Sequence, residues 1–62
     1  MTKFKLFFLN AVDLQGQIYV SIQSEEFSGT LKEAQRRAEY LNADAEKVAG
    51  KRPDFPIVRD AT

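Results

Sequence analysis

A chain of 62 residues has room for one domain and no more, read here as a single small domain spanning 1–62. At that size about 60% of the unfolded surface is buried on folding. It has neither cysteine nor histidine, which excludes disulfide staples, Cys/His zinc patterns and the Cys- or His-based catalytic pairs. Nine basic against nine acidic residues give a net charge of zero, which argues against a phosphate-neutralising nucleic-acid binder, and the 44% hydrophobic content argues against disorder.

Residues 3–12 are rich in aromatic and aliphatic side chains and read as a first strand. Phe4, Leu6, Phe8 and Val12 share one face, and Lys3, Lys5, Phe7, Leu9 and Ala11 the other. Apolar character on both sides suits a central strand. The lysines and apolar run at the start resemble the opening of a signal peptide, but the run ends at Asn10 without a cleavage pattern. A strand is the better reading, and with no stretch near the roughly 20 apolar residues of a membrane span the expected setting is cytoplasmic and away from membranes.

Residues 17–23 alternate, with Ile18, Val20 and Ile22 on one side and Gln17, Tyr19, Ser21 and Gln23 on the other. A three-residue loop of Leu14, Gln15 and Gly16 would pair Val12 with Ile18 and Phe8 with Ile22, placing all four on one face. Ser24 to Gly29 reads as a connector. Thr30-Leu31-Lys32-Glu33 has the form of a capping box, and Leu31, Ala34, Ala38, Leu41, Ala45 and Val48 then recur at spacings of three and four. One helix over 31–49 follows, stopped by Gly50, with alanines that let its axis lie close to a sheet. The extended segment from Phe55 to Arg59 contains Pro56, which places it on a sheet edge.

The expected fold class is α+β, in the order ββαβ: a three-stranded antiparallel sheet, order 2-1-3, with one helix packed on one face. The expected core is Phe4, Leu6, Phe8, Val12, Ile18, Val20 and Ile22 under the helical stripe, with Phe27 and Phe55 closing its ends. The uncovered face would then show Phe7, Leu9 and Tyr19 beside Lys3 and Lys5. Contiguous apolar patches on small domains mark contacts, so these five are the candidate partner-binding residues, with Arg36, Arg37 and Glu39 of the helix as a charged rim.

No glycine-rich phosphate loop, metal-binding loop or paired catalytic carboxylates occur, so no catalytic residue, cofactor or metal is assigned and the chain is read as a non-enzyme. In size and build alone it is similar to small phage and mobile-element proteins, anti-CRISPR proteins and other inhibitors among them, a resemblance carried by no particular residue. It implies a non-catalytic protein-binding module that occludes a larger host protein. Two rivals use the same face: a weak single-stranded nucleic-acid binder stacking bases on Phe7 and Tyr19 with Lys3 and Lys5 on the backbone, and a homodimer closing the patch about a twofold axis.

Overall fold

The computed structural model describes residues 2–61. β1 (Thr2–Leu14) and β2 (Gln17–Gly29) form a long hairpin, α1 (Leu31–Ala49) follows, and β3 (Val58–Asp60) returns to β1. The sheet is antiparallel with the order β2-β1-β3, so the chain has the α+β fold and strand order that its sequence implies. β3 is shorter than the Phe55–Arg59 segment expected, and it sits on the edge where Pro56 can be accommodated. Its approach is pinned by the Phe7 amide donating to the Ile57 carbonyl at 2.9 Å.

The hairpin turns more tightly than the sequence suggests. Leu14 pairs with Gln17 across a two-residue turn in which Gln15 (φ 53°) and Gly16 (φ 85°) are both left-handed, the geometry of a type I′ turn. Asp13 accepts from the Gly16 amide at 3.2 Å and steadies it. The shorter turn moves the register by one residue: Val12 faces Tyr19 and Phe8 faces Gln23, instead of Ile18 and Ile22. Because side chains alternate with period two, that slip carries the Ile18, Val20 and Ile22 row to the opposite face from Phe4, Leu6, Phe8 and Val12. The expected connector, Ser24 to Gly29, continues as strand.

The helix keeps the expected bounds. Thr30 and Glu33 form the capping box, the Thr30 hydroxyl accepting from the Glu33 amide at 3.2 Å and the Glu33 carboxylate accepting from the Thr30 amide at 3.0 Å. Gly50 closes the other end in the left-handed conformation (φ 64°). The buried face keeps Ala34, Ala38 and Ala45 of the expected stripe and adds Asn42, while Leu41 is half-buried and Leu31 and Val48 at the ends stand exposed.

Two clusters make the core. Phe4 and Leu6 meet Ala34 and Ala38, with Phe27 packed against them; Leu9 and Ala11 meet Ala45, with Phe55 alongside. Phe27 and Phe55 thus sit at the two ends, as expected. The members of the two clusters on β1 have opposite parity, and Asn42 explains how one helix reaches both. Its side-chain amide accepts from the Leu9 amide at 2.9 Å and donates to the Phe7 carbonyl at 3.2 Å, both on the edge of β1 just beyond β3. The helix begins over one face of the hairpin, meets its edge at Asn42 and ends against residues of the other face. Val12, Ile18, Val20 and Ile22, expected in the core, are exposed instead.

Candidate functional site

Two offsets uncover those side chains: Val20 and Ile22 lie across the ladder from Ala11 and Leu9, to the side of the helix end that covers these, and Val12 and Ile18 lie beyond it. Strands of 13 residues reach about 43 Å at ~3.3 Å per residue. A 19-residue helix covers only about 28 Å at ~1.5 Å per residue. The turn end of the hairpin therefore projects past the helix, and the molecule measures 42 × 16 × 16 Å. On the projection, Val12 (40% exposed), Leu14 (57%) and Tyr19 (55%) lie on one face, with Val12 directly opposite Tyr19. Ile18, Val20 and Ile22 lie on the other face, all exposed.

The first of these faces runs back toward the helix through Phe8, which has the same parity as Val12. There Phe8 and Asn10 of β1 and Tyr40, Leu41, Asp44 and Lys47 of α1 line an open cleft of about 450 Å³. Tyr40 is the most exposed of the large apolar side chains, at 71%. The Arg37 guanidinium lies 5.6 Å from its ring centre and is itself held by Glu25, Nε to Oε2 at 3.0 Å and Nη2 to Oε1 at 3.4 Å. The Glu25 hydrogen bond, followed by the Glu25 charge, raises the Arg37 pKa from its already high ordinary value, so the guanidinium stays charged beside Tyr40. The Tyr19 hydroxyl donates to the Gln17 side chain at 2.7 Å, two residues before it on β2.

The candidate residues read from the sequence divide into three places. Phe7, Lys3 and Lys5 share a face, and Arg59 joins them from β3; the Phe7 ring has the Arg59 guanidinium 5.0 Å and the Lys5 ammonium 5.7 Å from its centre. Leu9 is buried against Ala45 and Phe55 and reaches the surface only where it borders the cleft beside Phe8. Tyr19 lies on the opposite face from Phe7, five ladder positions nearer the turn. The expected Phe7–Leu9–Tyr19 patch therefore does not exist as one surface, because it assumed the slipped register. The same separation parts Phe7 from Tyr19, the two aromatics expected to stack successive bases together.

Among the helix residues, Arg37 is engaged by Glu25 and Tyr40, and Arg36 is exposed. Glu39 lines a second open cleft of about 640 Å³, floored by Phe55, Pro56 and Ile57 and rimmed by Glu46 and Arg52, which pair at 2.9 Å. The rim residues thus do not converge on one site. Missing from the sequence reading are Leu14, Phe8 and Tyr40. The signal that would have found Leu14 is the Gln15-Gly16 pair, since a two-residue turn draws Leu14 into the ladder opposite Gln17.

Among the described residues, no group of three or more acidic side chains could hold a metal ion, and no helix is long and apolar enough to cross a membrane. No protein-family model matches the chain, and no curated protein or solved structure is significantly similar to it.

Proposed function

We propose that the chain is a non-catalytic protein-binding module whose contact surface is the apolar strip from the Phe8–Tyr40 cleft to the tip of the hairpin. The observation that carries this reading is the cross-strand pair Val12–Tyr19 with Leu14 beside it, exposed where the hairpin outruns its helix. Aromatic and aliphatic side chains grouped on a rigid ladder match the anchors of protein interfaces, which keep charge at the rim. Here the rim is Arg37, Asp44 and Lys47. A module with a 7.1 kDa mass and no assigned catalytic group acts by occupying a partner's surface. That is the mode of the small phage and mobile-element inhibitors whose build it shares, and a host protein is the corresponding partner.

Capture from the source organism's lysate tests this. Tagged wild type is compared, after nuclease treatment, with a Leu14→Ser/Tyr19→Ser variant. Both substituted side chains are more than half exposed, so far-UV circular dichroism should be unchanged. A protein retained by the wild type and lost by the variant supports the reading. Equal recovery by both, or material that disappears with nuclease, overturns it.

A further inference from the structure

The strip just described uses one face of the hairpin, whereas the outer edge of β2 is a separate feature. β2 is the outermost strand of the sheet. On β1 the odd-numbered backbone groups point away from β2, as the bonds of Lys3 and Phe7 to Ala61 and Ile57, which flank β3, and of Leu9 to Asn42 establish. The even-numbered residues of β2, Ile18, Val20 and Ile22 among them, therefore turn their amides and carbonyls outward. From Leu14 to Ser24 there is no charge and no proline, the two features that normally blunt such an edge.

The surface area is also too large for a compact monomer. A 7.1 kDa chain is expected to expose about 4100 Å², whereas this one exposes 4683 Å². Its radius of gyration is 12.5 Å, against about 10.5 Å for a compact chain of this length. The excess, about 600 Å² per chain, equals one partner's share of a small stable interface of ~1200 Å² in total.

We propose that β2 pairs antiparallel with β2 of a second copy about a twofold axis at Val20, joining the two sheets into one. In this register Val20 faces Val20 of the second copy, and Ile18 and Ile22 face each other twice. Only apolar side chains meet on that face, while Tyr19 and Gln17 fall opposite Ser21 and Gln23 on the other. Charge selects this position along the edge: with the axis at Val20, residues 17–23 pair and both Glu25 and Glu26 fall beyond the paired stretch. Sliding the axis toward the other end of β2 sets glutamates of the two copies against each other. The self-complementarity of residues 17–23 is what designates a second copy rather than an unrelated strand. The inference rests on the outer edge of β2 and not on the Leu14–Tyr19 strip: the Tyr19 backbone bonds to β1, so its substitution to Ser removes no outward amide or carbonyl from the Val20 edge.

Light scattering and sedimentation of the full chain test it. The wild type should show a concentration-dependent mass reaching twice 7.1 kDa and no further. Val20→Pro removes an outward amide that the hairpin does not use and should weaken pairing at least 100-fold with the far-UV spectrum retained. Ile18→Lys and Ile22→Glu should each be monomeric alone and form a heterodimer when mixed, because only this register brings positions 18 and 22 together. The mixing result decides the matter should the proline variant unfold. A wild type that stays at one chain's mass at its highest soluble concentration overturns the proposal, as does growth beyond two chains. So does a dimer indifferent to these substitutions, or a mixture that remains monomeric.

Discussion

Asn42 is the residue on which the two halves of the core depend, and replacing it with alanine measures that dependence. The buried amide, 7% exposed, satisfies the Leu9 amide and the Phe7 carbonyl as a strand backbone would, and its third bond goes to the Ala38 carbonyl at 2.8 Å. Truncation leaves Ala38 with its helical partner, so the loss falls on Leu9 and Phe7. Each buried backbone group without a partner costs about 1–3 kcal/mol. The two groups together would cost about 2–6 kcal/mol, and partial re-pairing by water at the edge of β1 beyond Leu9 leaves an expected loss of about 3 kcal/mol. Against a total of roughly 3–9 kcal/mol for a chain of this length, that removes a third or more of the stability. It lowers the melting temperature by roughly 12–24 °C. Urea and thermal unfolding give the magnitude. Native-state hydrogen exchange gives the cause, since the Leu9 amide should lose protection relative to β1 amides paired to β2. A loss under about 1 kcal/mol with Leu9 still protected would refute the claim that Asn42 serves as a surrogate strand.

Two further outcomes follow from the caps and the turn. Hydrogen bonds from the Thr30 backbone amide and then its hydroxyl hold the Glu33 carboxyl below its ordinary 4.5, so the capping box contributes fully above that pH and is lost as pH falls through the lower folded value. Glu33→Gln keeps an acceptor for the Thr30 amide without the titration, so its melting temperature should fall less steeply on acidification than the wild type's; parallel slopes would show that Glu33 does not couple to folding. Gln15 is the single described residue other than glycine with positive φ (53°), and Gln15→Asn relieves that conformation at the first position of a type I′ turn. A gain of about 0.5–1 kcal/mol in urea unfolding is expected, and destabilisation would mean that Gln15 has a role beyond the turn.

The helix was legible because its determinants are local. Thr30, Glu33 and Gly50 act within one turn of the chain, and alanine spacing marks the buried side however the sheet beneath is arranged. Strand order was legible for a similar reason, since Pro56 excludes an interior position and the two-sided apolar character of β1 demands one. The register was not, because Gln15-Gly16 serves either a two-residue or a three-residue loop, and alternation on β2 looks the same from both. The distinction lies in whether Leu14 joins the ladder, and its pairing with Gln17 is a property of the folded hairpin. Asn42 was passed over because it occupies a position compatible with the apolar stripe while being polar. A buried asparagine in such a stripe signals a backbone group elsewhere that needs a partner.

That one-residue difference decides which residues are free for function. In the looser register Ile18, Val20 and Ile22 would lie on the face of Phe4 and Leu6 under the helix, leaving Phe7, Leu9 and Tyr19 to face outward together. In the observed register the helix covers Phe4 and Leu6, crosses the edge at Asn42 and covers Leu9 and Ala11, which exhausts its 19 residues. The apolar residues beyond it have no helix left to meet. By parity Val12, Leu14 and Tyr19 form a face strip, while Ile18 joins an edge row with Val20 and Ile22, which lie to the side of the helix across from Ala11 and Leu9. A short helix on a long hairpin thus leaves two separate contact surfaces, and substitutions at Tyr19 and at Val20, adjacent in sequence, should disable different associations.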